Sequence, residues 1–248
     1  MTETPEVRLR TSRHKMDQPS SLALRQLELF EQLPPEKLAT LARECAWRNY
    51  ENRQRIISRE ARDRDVHLLV SGRVRVTAYS GAGRQVTFTD VAACEIFGDI
   101  AAIDDGLRSA DVIALESCLV ARMPAAVFRR LLSEEPAVAE RLLRRLASLV
   151  RRLSDRVFDL STLGVQNRIH AELLRLARQA GVTGNAARID PAPKHADIAS
   201  QVSTYREQVT RELSILMKAG LVARDGRVLL VRDFKRLERM VEDVRSGA

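Results

Sequence analysis

The sequence predicts an α+β protein in three parts: an N-terminal β-roll of jelly-roll character, one long helix, and a C-terminal winged helix-turn-helix. Three observations carry this. Between about Ile56 and Met123, apolar and polar residues alternate between glycine-punctuated turns. Leucines then recur at heptad spacing from Leu142 to Leu160. The last third holds short amphipathic segments closed by an Asp225-Gly226 hairpin signal.

The chain has 248 residues, enough for one large domain or two ordinary ones. A net charge of +8 fits a polyanion such as nucleic acid, or an anionic membrane surface. An arginine-rich composition alone explains it equally well. Cys45, Cys94 and Cys118 are odd in number and lack a C-x-x-C, which argues against a disulfide framework or zinc site and fits a cytoplasmic protein. No apolar run reaches the roughly 18 residues of a membrane span. Residues 1–21 read as a flexible basic arm without a secretory core.

The elements follow in order. Leu33 to Trp47 reads as an amphipathic helix opened by Pro34 and Pro35. In the roll, Val74 and Val76, then Val86 and Phe88, keep the two-residue period of strands, with Gly72, Gly81 and Gly83 at the turns. Residues 137–162 form the long helix. Its leucines Leu142, Leu146, Leu149, Leu153 and Leu160 are spaced 4, 3, 4 and 7, Val150 and Val157 widen the stripe, and arginines take the opposite face. This is read as a seam of Leu142, Leu146, Leu149, Leu153, Val157 and Leu160 that pairs with a second copy of the chain. Packing on its own domain is the alternative.

Residues 163–248 form the third unit. Ile169, Leu173, Leu174 and Leu176 mark one helix; Ile198 and Val202 point a short helix inward. Val209, Leu213, Leu216 and Met217 share one face of the next helix, which leaves Arg206, Glu207, Thr210, Arg211 and Ser214 outward. Helix, turn, helix and wing place that outward face in a DNA major groove, where arginine reads guanine and glutamate reads cytosine. Thr204 and Glu207 also have capping-box spacing, and Glu207 and Arg211 stand i, i+4, as on any surface helix.

The stretch "GDIAAIDDGLRSADV" has two readings: a solvated charged loop, or the holder of a small anion. Here the chain resembles the Crp–Fnr family of bacterial transcription regulators, across roughly Leu29 to Val231. "FGDIAAIDDGLRSADVIA" is similar to that family's phosphate-binding cassette, "SLVRRLSDRVFDL" stands where its dimerisation helix does, and "IASQVSTYREQVTREL" resembles its recognition unit. The resemblance implies a cyclic-nucleotide-binding roll over 22–136, with cyclic AMP or cyclic GMP as allosteric ligand and no catalytic cofactor. It implies an effector site of Gly98, Asp99, Ile100, Arg108, Ser109, Ala110, Leu153 and Ser154. Arg108 and Ser109 would hold the cyclic phosphate, Asp99 the ribose hydroxyl, and Ser154 the base, from its own subunit or across the dimer. It implies DNA contacts at Thr204, Tyr205, Arg206, Glu207, Thr210 and Arg211 on a palindrome with half-sites resembling TGTGA, and RNA polymerase as a further partner.

Three positions depart from the family. Asp99 stands for glutamate, Leu153 for a second hydroxyl and Tyr205 for serine. The anion reading has a physical basis: a buried phosphodiester needs charge and donors, and arginine offers a planar fork. Asp104 and Asp105 then read as the solvated loop tip. Competing readings keep the scaffold with another effector, cyclic di-GMP or a small metabolite, or make the roll a metal-dependent enzyme. The latter needs clustered ligands, and among His14, His67, His170 and His195 only His67 falls in the roll, so no catalytic or metal residues are assigned.

Overall fold

The computed structural model describes residues 21–81 and 83–246; the arm assigned to 1–21 lies outside them except for Ser21. The chain begins with α1 (Ser21–Arg25), a 3₁₀ turn (Glu28–Phe30) and α2 (Pro35–Glu44). Pro35 opens α2 at a position where its missing N–H costs nothing. The expected helix runs three residues too far: α2 ends at Glu44, and Trp47 lies on β1 (Ala46–Tyr50), its indole donating to Ala42 O at 2.9 Å.

The roll comprises β1, β2 (Arg55–Ile57), β3 (Val66–Ser71), β4 (Arg73–Tyr79), β5 (Gln85–Ala92), β6 (Ile96–Phe97), β7 (Asp111–Ala114) and β8 (Cys118–Met123), with α3 (Asp99–Asp104) between β6 and β7. Two four-stranded antiparallel sheets form, ordered β1-β8-β3-β6 and β2-β7-β4-β5. Tyr50, Leu69, Val74, Val91, Phe97 and Val120 fill the space between them. Val66, Leu68 and Met123 face the other way, onto Leu38, Leu41 and Phe128 of the helices. That double covering explains why β3 reads as an apolar run.

His67 of β3 is buried and stacks on Phe97, with ring centroids 5.0 Å apart. Burial, then the Arg108 charge, lowers its pKa from 6.5 to about 4. The unfolded chain therefore takes up this proton first as pH falls below 6.5. His67 should remove about 3 kcal/mol of stability between pH 6.5 and pH 4. Urea midpoints for wild type and His67→Phe at pH 7 and pH 4.5 check this: the wild type should lose more on acidification.

After α4 (Ala125–Glu134), α5 (Pro136–Thr162) spans 27 residues. Its expected seam needs correction. Leu142 is buried in the protein's own core, Leu146 packs against that core half-buried, and Leu149 is half-buried on the wall of a cavity between α5 and the roll. The exposed apolar stripe is Leu143, Val150 and Val157, seven apart, with Leu153 and Leu160 beside it, all between 40% and 66% exposed. Two apolar stripes run along α5, and the inner one is shifted by a single residue from the outer.

The last unit holds α6 (Val165–Ala180), β9 (Val182–Thr183), β10 (Ala186–Ile189), α7 (His195–Gln201), α8 (Arg206–Lys218), β11 (Val222–Asp225), β12 (Val228–Val231) and α9 (Phe234–Ser246). The wing is one hairpin of a four-stranded sheet ordered β11-β12-β10-β9. The β9–β10 hairpin escapes the sequence reading because its strands are two and four residues long. Ile169, Leu173, Val209, Leu213 and Leu216 meet in the core as expected. Met217, assigned to that face, is 40% exposed instead.

Candidate ligand pocket and nucleic-acid interface

Between the roll and α5 lies a cavity of about 790 Å³. Gly98, Asp99, Ile100, Arg108, Ser109 and Ala110 all line it, joined by Leu153 of α5. Ser154 is exposed and lies outside this lining, beside the outer stripe of α5. Gly98 ends β6 at φ 75°, and a Cβ there would lie 2.7 Å from Arg108 Nη1, so the close approach requires glycine. The "loop" between Gly98 and Arg108 is in part a helix, α3. At its end Asp105 is no bare tip: Arg64 and Arg129 both pair with it, at 2.7 and 2.9 Å.

Arg108 is 3% exposed, and its fork is aimed by three acceptors. Nη1 donates to Gly98 O at 2.7 Å, and Nη2 donates to Asp63 Oδ2 at 2.5 Å and Asp65 O at 2.8 Å. Nε is buried without a partner among the described residues. Burial pushes the Asp63 pKa upward, but the hydrogen bond and charge of Arg108 outweigh it and hold Asp63 below the usual carboxylate value. Asp99 is buried and accepts from Arg145 Nη1 through Oδ2 at 2.5 Å, while Arg145 Nη2 donates to Ile96 O at 2.8 Å. Asp99 Oδ1 accepts no hydrogen bond from the described residues and remains open to a hydroxyl.

Asp63 and Arg145 are the site residues the sequence reading missed. Asp63 sits in a run of alternating charges that looks like any solvated turn. Arg145 belongs to the arginines assigned to the solvent side of the long helix. Arg141, Arg144, Arg145 and Arg152 in fact line the cavity. Their spacing of 3, 1 and 7 is the available signal.

In the last unit, α7 and α8 meet across a short turn in which Ser203 has φ 55°. Val209, Leu213 and Leu216 anchor α8 and leave Tyr205, Arg206, Glu207, Thr210 and Arg211 exposed. Glu207 and Arg211 form no ion pair with each other or with another of the described residues, and both side chains stand exposed. Thr210 Oγ1 lies 2.7 Å from His195 Nδ1. Thr204 departs from the expected arrangement. It is buried and donates to the Gln208 side chain, so the capping box with Glu207 does not form and Tyr205 stands at the N-cap. Thr204 braces the turn from inside, where its hydroxyl is taken up by Gln208, rather than standing on the exposed face of α8.

Arg211→Ala should lose discrimination at one guanine by about 1–3 kcal/mol, because its exposed guanidinium on α8, without an ion pair among the described residues, suits a bidentate contact. Competition between matched and mismatched duplexes checks this. Equal weakening on both makes Arg211 a phosphate contact.

Among the described residues, no group of three or more His, Cys, Asp or Glu is placed to hold a metal, and no helix is long and apolar enough to cross a membrane. Residues 47–135 match the cyclic nucleotide-binding domain, and residues 167–240 match the Crp-like helix-turn-helix domain. The chain is 24% identical over 212 residues to the CRP-like cAMP-activated global transcriptional regulator of Mycobacterium tuberculosis, covering 85% of this chain and 95% of that one. It is 29% identical over 213 residues to the cyclic AMP receptor protein of Thermus thermophilus, covering 85% and 94%. Its fold is similar to that of a CooA mutant from Carboxydothermus hydrogenoformans, at TM-score 0.71 and 21% identity, covering 80% and 88%. A nucleotide-binding roll joined to a helix-turn-helix, matched along most of its length by regulators, is the composition of a regulator and not of an enzyme: the chain belongs to the Crp–Fnr family of bacterial transcription regulators.

Proposed function

We propose that this protein is a homodimeric regulator that binds palindromic DNA under the control of a cyclic purine mononucleotide, with cyclic AMP favoured and cyclic GMP accepted. The division of labour is residues 22–136 for the nucleotide, 137–162 for pairing and 163–248 for DNA. RNA polymerase is the further partner, and the cytoplasm is the compartment where all of these meet. The observation that carries the reading is Arg108. It is a buried, pre-aimed guanidinium on the wall of a nucleotide-sized cavity, with the exposed Ser109 beside it. The exposed stripe of α5 supports the dimer, since Leu143, Val150 and Val157 at seven-residue spacing need a partner helix to leave water.

Phosphate is common to both nucleotides, so discrimination falls to the base. Leu153 lines the cavity where a polar partner would choose between an amino group and a carbonyl. A site rejects the wrong ligand strongly only when it leaves buried polar groups unpaired. Cyclic AMP and cyclic GMP should therefore bind within about 100-fold, or under roughly 3 kcal/mol. Leu153→Thr should widen the gap. Calorimetric titration with each nucleotide checks this, and failure of both to bind refutes the reading.

One observation favours a second ligand class. The α5 wall carries Arg141, Arg144, Arg145 and Arg152. Glu31, Glu140 and Asp99 pair with the first three, and Arg152 and the buried, unpartnered Nη1 of Arg141 remain for a second phosphate. A cyclic dinucleotide such as cyclic di-GMP, with two phosphates, matches that wall. Its inclusion in the same titration separates the two.

A further inference from the structure

Strand β5 serves two sites at once. Val76 pairs with Thr89 and Thr77 with Thr87, so Phe88 is the extra residue of a β-bulge. Phe88 and Thr89 line the ligand cavity. Thr87 is fully buried, and its Oγ1 lies 2.9 Å from Ser200 Oγ of α7, the first helix of the DNA-reading pair. Because Ser200 donates its own proton to Asp197 O at 2.8 Å, Thr87 is the donor across the contact.

Two arginines reinforce this join. Arg75 of β4 is 9% exposed and grips Asp90 of β5 through Nε and Nη2, at 2.7 and 2.9 Å. Its Nη1 donates to Asp197 of α7 at 2.5 Å. Arg156 of α5 reaches both sides of the bulge contact. Nη1 donates to Thr87 O at 2.5 Å and Phe88 O at 3.3 Å, and Nη2 donates to Gln201 O, at the end of α7, at 2.8 Å. Arg156 also lies one turn beyond Leu153, which lines the cavity, and next to Val157 of the exposed stripe. One guanidinium of α5 thus touches both the bulge behind the cavity and the end of α7, where β5 and α7 already meet directly.

We propose that Arg156, with the Thr87–Ser200 and Arg75–Asp197 contacts, forms a clasp that transmits occupancy of the cavity to the placement of α7 and α8. Arg156 is a positioning residue: it touches neither ligand nor DNA. Tyr205, Arg206 and Arg211 stay exposed with the clasp closed, so the clasp governs where the reading face sits, not whether it is accessible. The docked arrangement is one of two, and a nucleotide that presses on Phe88 and Leu153 changes its population. A ligand shifts such an equilibrium only through different contacts in the two states, and the bulge supplies them. The inference rests on the reading of the cavity as a cyclic-nucleotide site.

The test locks the clasp in the full-length chain. Thr87→Cys with Ser200→Cys places two sulfurs where two oxygens now stand 2.9 Å apart, within reach of a disulfide. The probes are cyclic AMP and a duplex selected by the wild-type protein from a random pool. Wild type should bind that duplex about 5–150-fold differently with and without nucleotide, whereas the oxidised variant should show a ratio within about twofold of one. Reduction of the same sample should restore the ratio. An oxidised variant that keeps the wild-type ratio overturns the clasp. Calorimetry with cyclic AMP distinguishes the two failures: a wild type that binds none overturns the reading of the cavity and the clasp with it, whereas nucleotide binding with an unaltered ratio overturns the clasp alone. Arg156→Met covers the case in which the disulfide does not form. It should bind cyclic AMP, melt as a folded protein and lose at least about threefold of the ratio, and an unaltered ratio overturns the clasp.

Discussion

Arg108→Leu is expected to abolish binding of both cyclic AMP and cyclic GMP. The guanidinium sits at 3% exposure inside the cavity wall, and its direction is set by Gly98 O, Asp63 and Asp65 O rather than by solvent. A phosphate entering a partly dry cavity loses its hydration, and only a charged, pre-aimed donor offsets that loss. Removing one partner of a buried, hydrogen-bonded charge pair costs about 2–5 kcal/mol, a loss of roughly 30-fold to several thousand-fold in affinity. The same substitution strands Asp63 and two carbonyls, so thermal unfolding must accompany calorimetry. Arg108→Lys is the sharper control. It keeps the charge and loses the fork, and should weaken both nucleotides about tenfold or more while sparing most of the stability. Wild-type affinity in a folded Arg108→Leu protein would remove Arg108 from the site.

Val150→Asp together with Val157→Asp should give monomers and loss of specific DNA binding. Both valines are more than 60% exposed on the outer stripe of α5, so neither substitution disturbs the protein's own core. In a paired helix they would place four carboxylates in one seam, and each buried charge without a partner costs several kcal/mol. The same change at Leu146 and Leu149 would be ambiguous, because those side chains pack on the core and line the ligand cavity. A monomer presents one recognition helix, whereas a palindrome with half-sites about 34 Å apart is held by two. Losing the second contact forfeits an advantage of about 10²–10⁴ in affinity. Sedimentation velocity and an operator titration read both effects. A dimer that persists in the variant places the interface elsewhere.

Local chemistry decided a good deal by itself. The two-residue period of β4 and β5, the leucine rhythm of α5, the Asp225-Gly226 turn and the Val209, Leu213, Leu216 face all act between near neighbours in the chain, so their elements follow from the order of residues. The Gly98 and Arg108-Ser109 pieces are local features too, but on their own they fit a solvated loop or an anion site, and their reading as a phosphate holder came from the resemblance to the family's cassette. Tertiary structure decided the rest, and in each case the missing information was a partner far along the chain. Whether Leu142 or Leu143 faces inward depends on which side of α5 the roll covers, because the helix carries two apolar stripes. Asp63 grips Arg108 from 45 residues away, Arg145 grips Asp99 across 46, and Arg75 reaches Asp197 across 122. Thr204 and Glu207 have the spacing of a cap, yet Thr204 turns inward to Gln208 because the turn between α7 and α8 buries it. Periodicity names the face of a helix or strand, but only the packed fold determines what that face meets, because burial and ion pairing are set by distances through space.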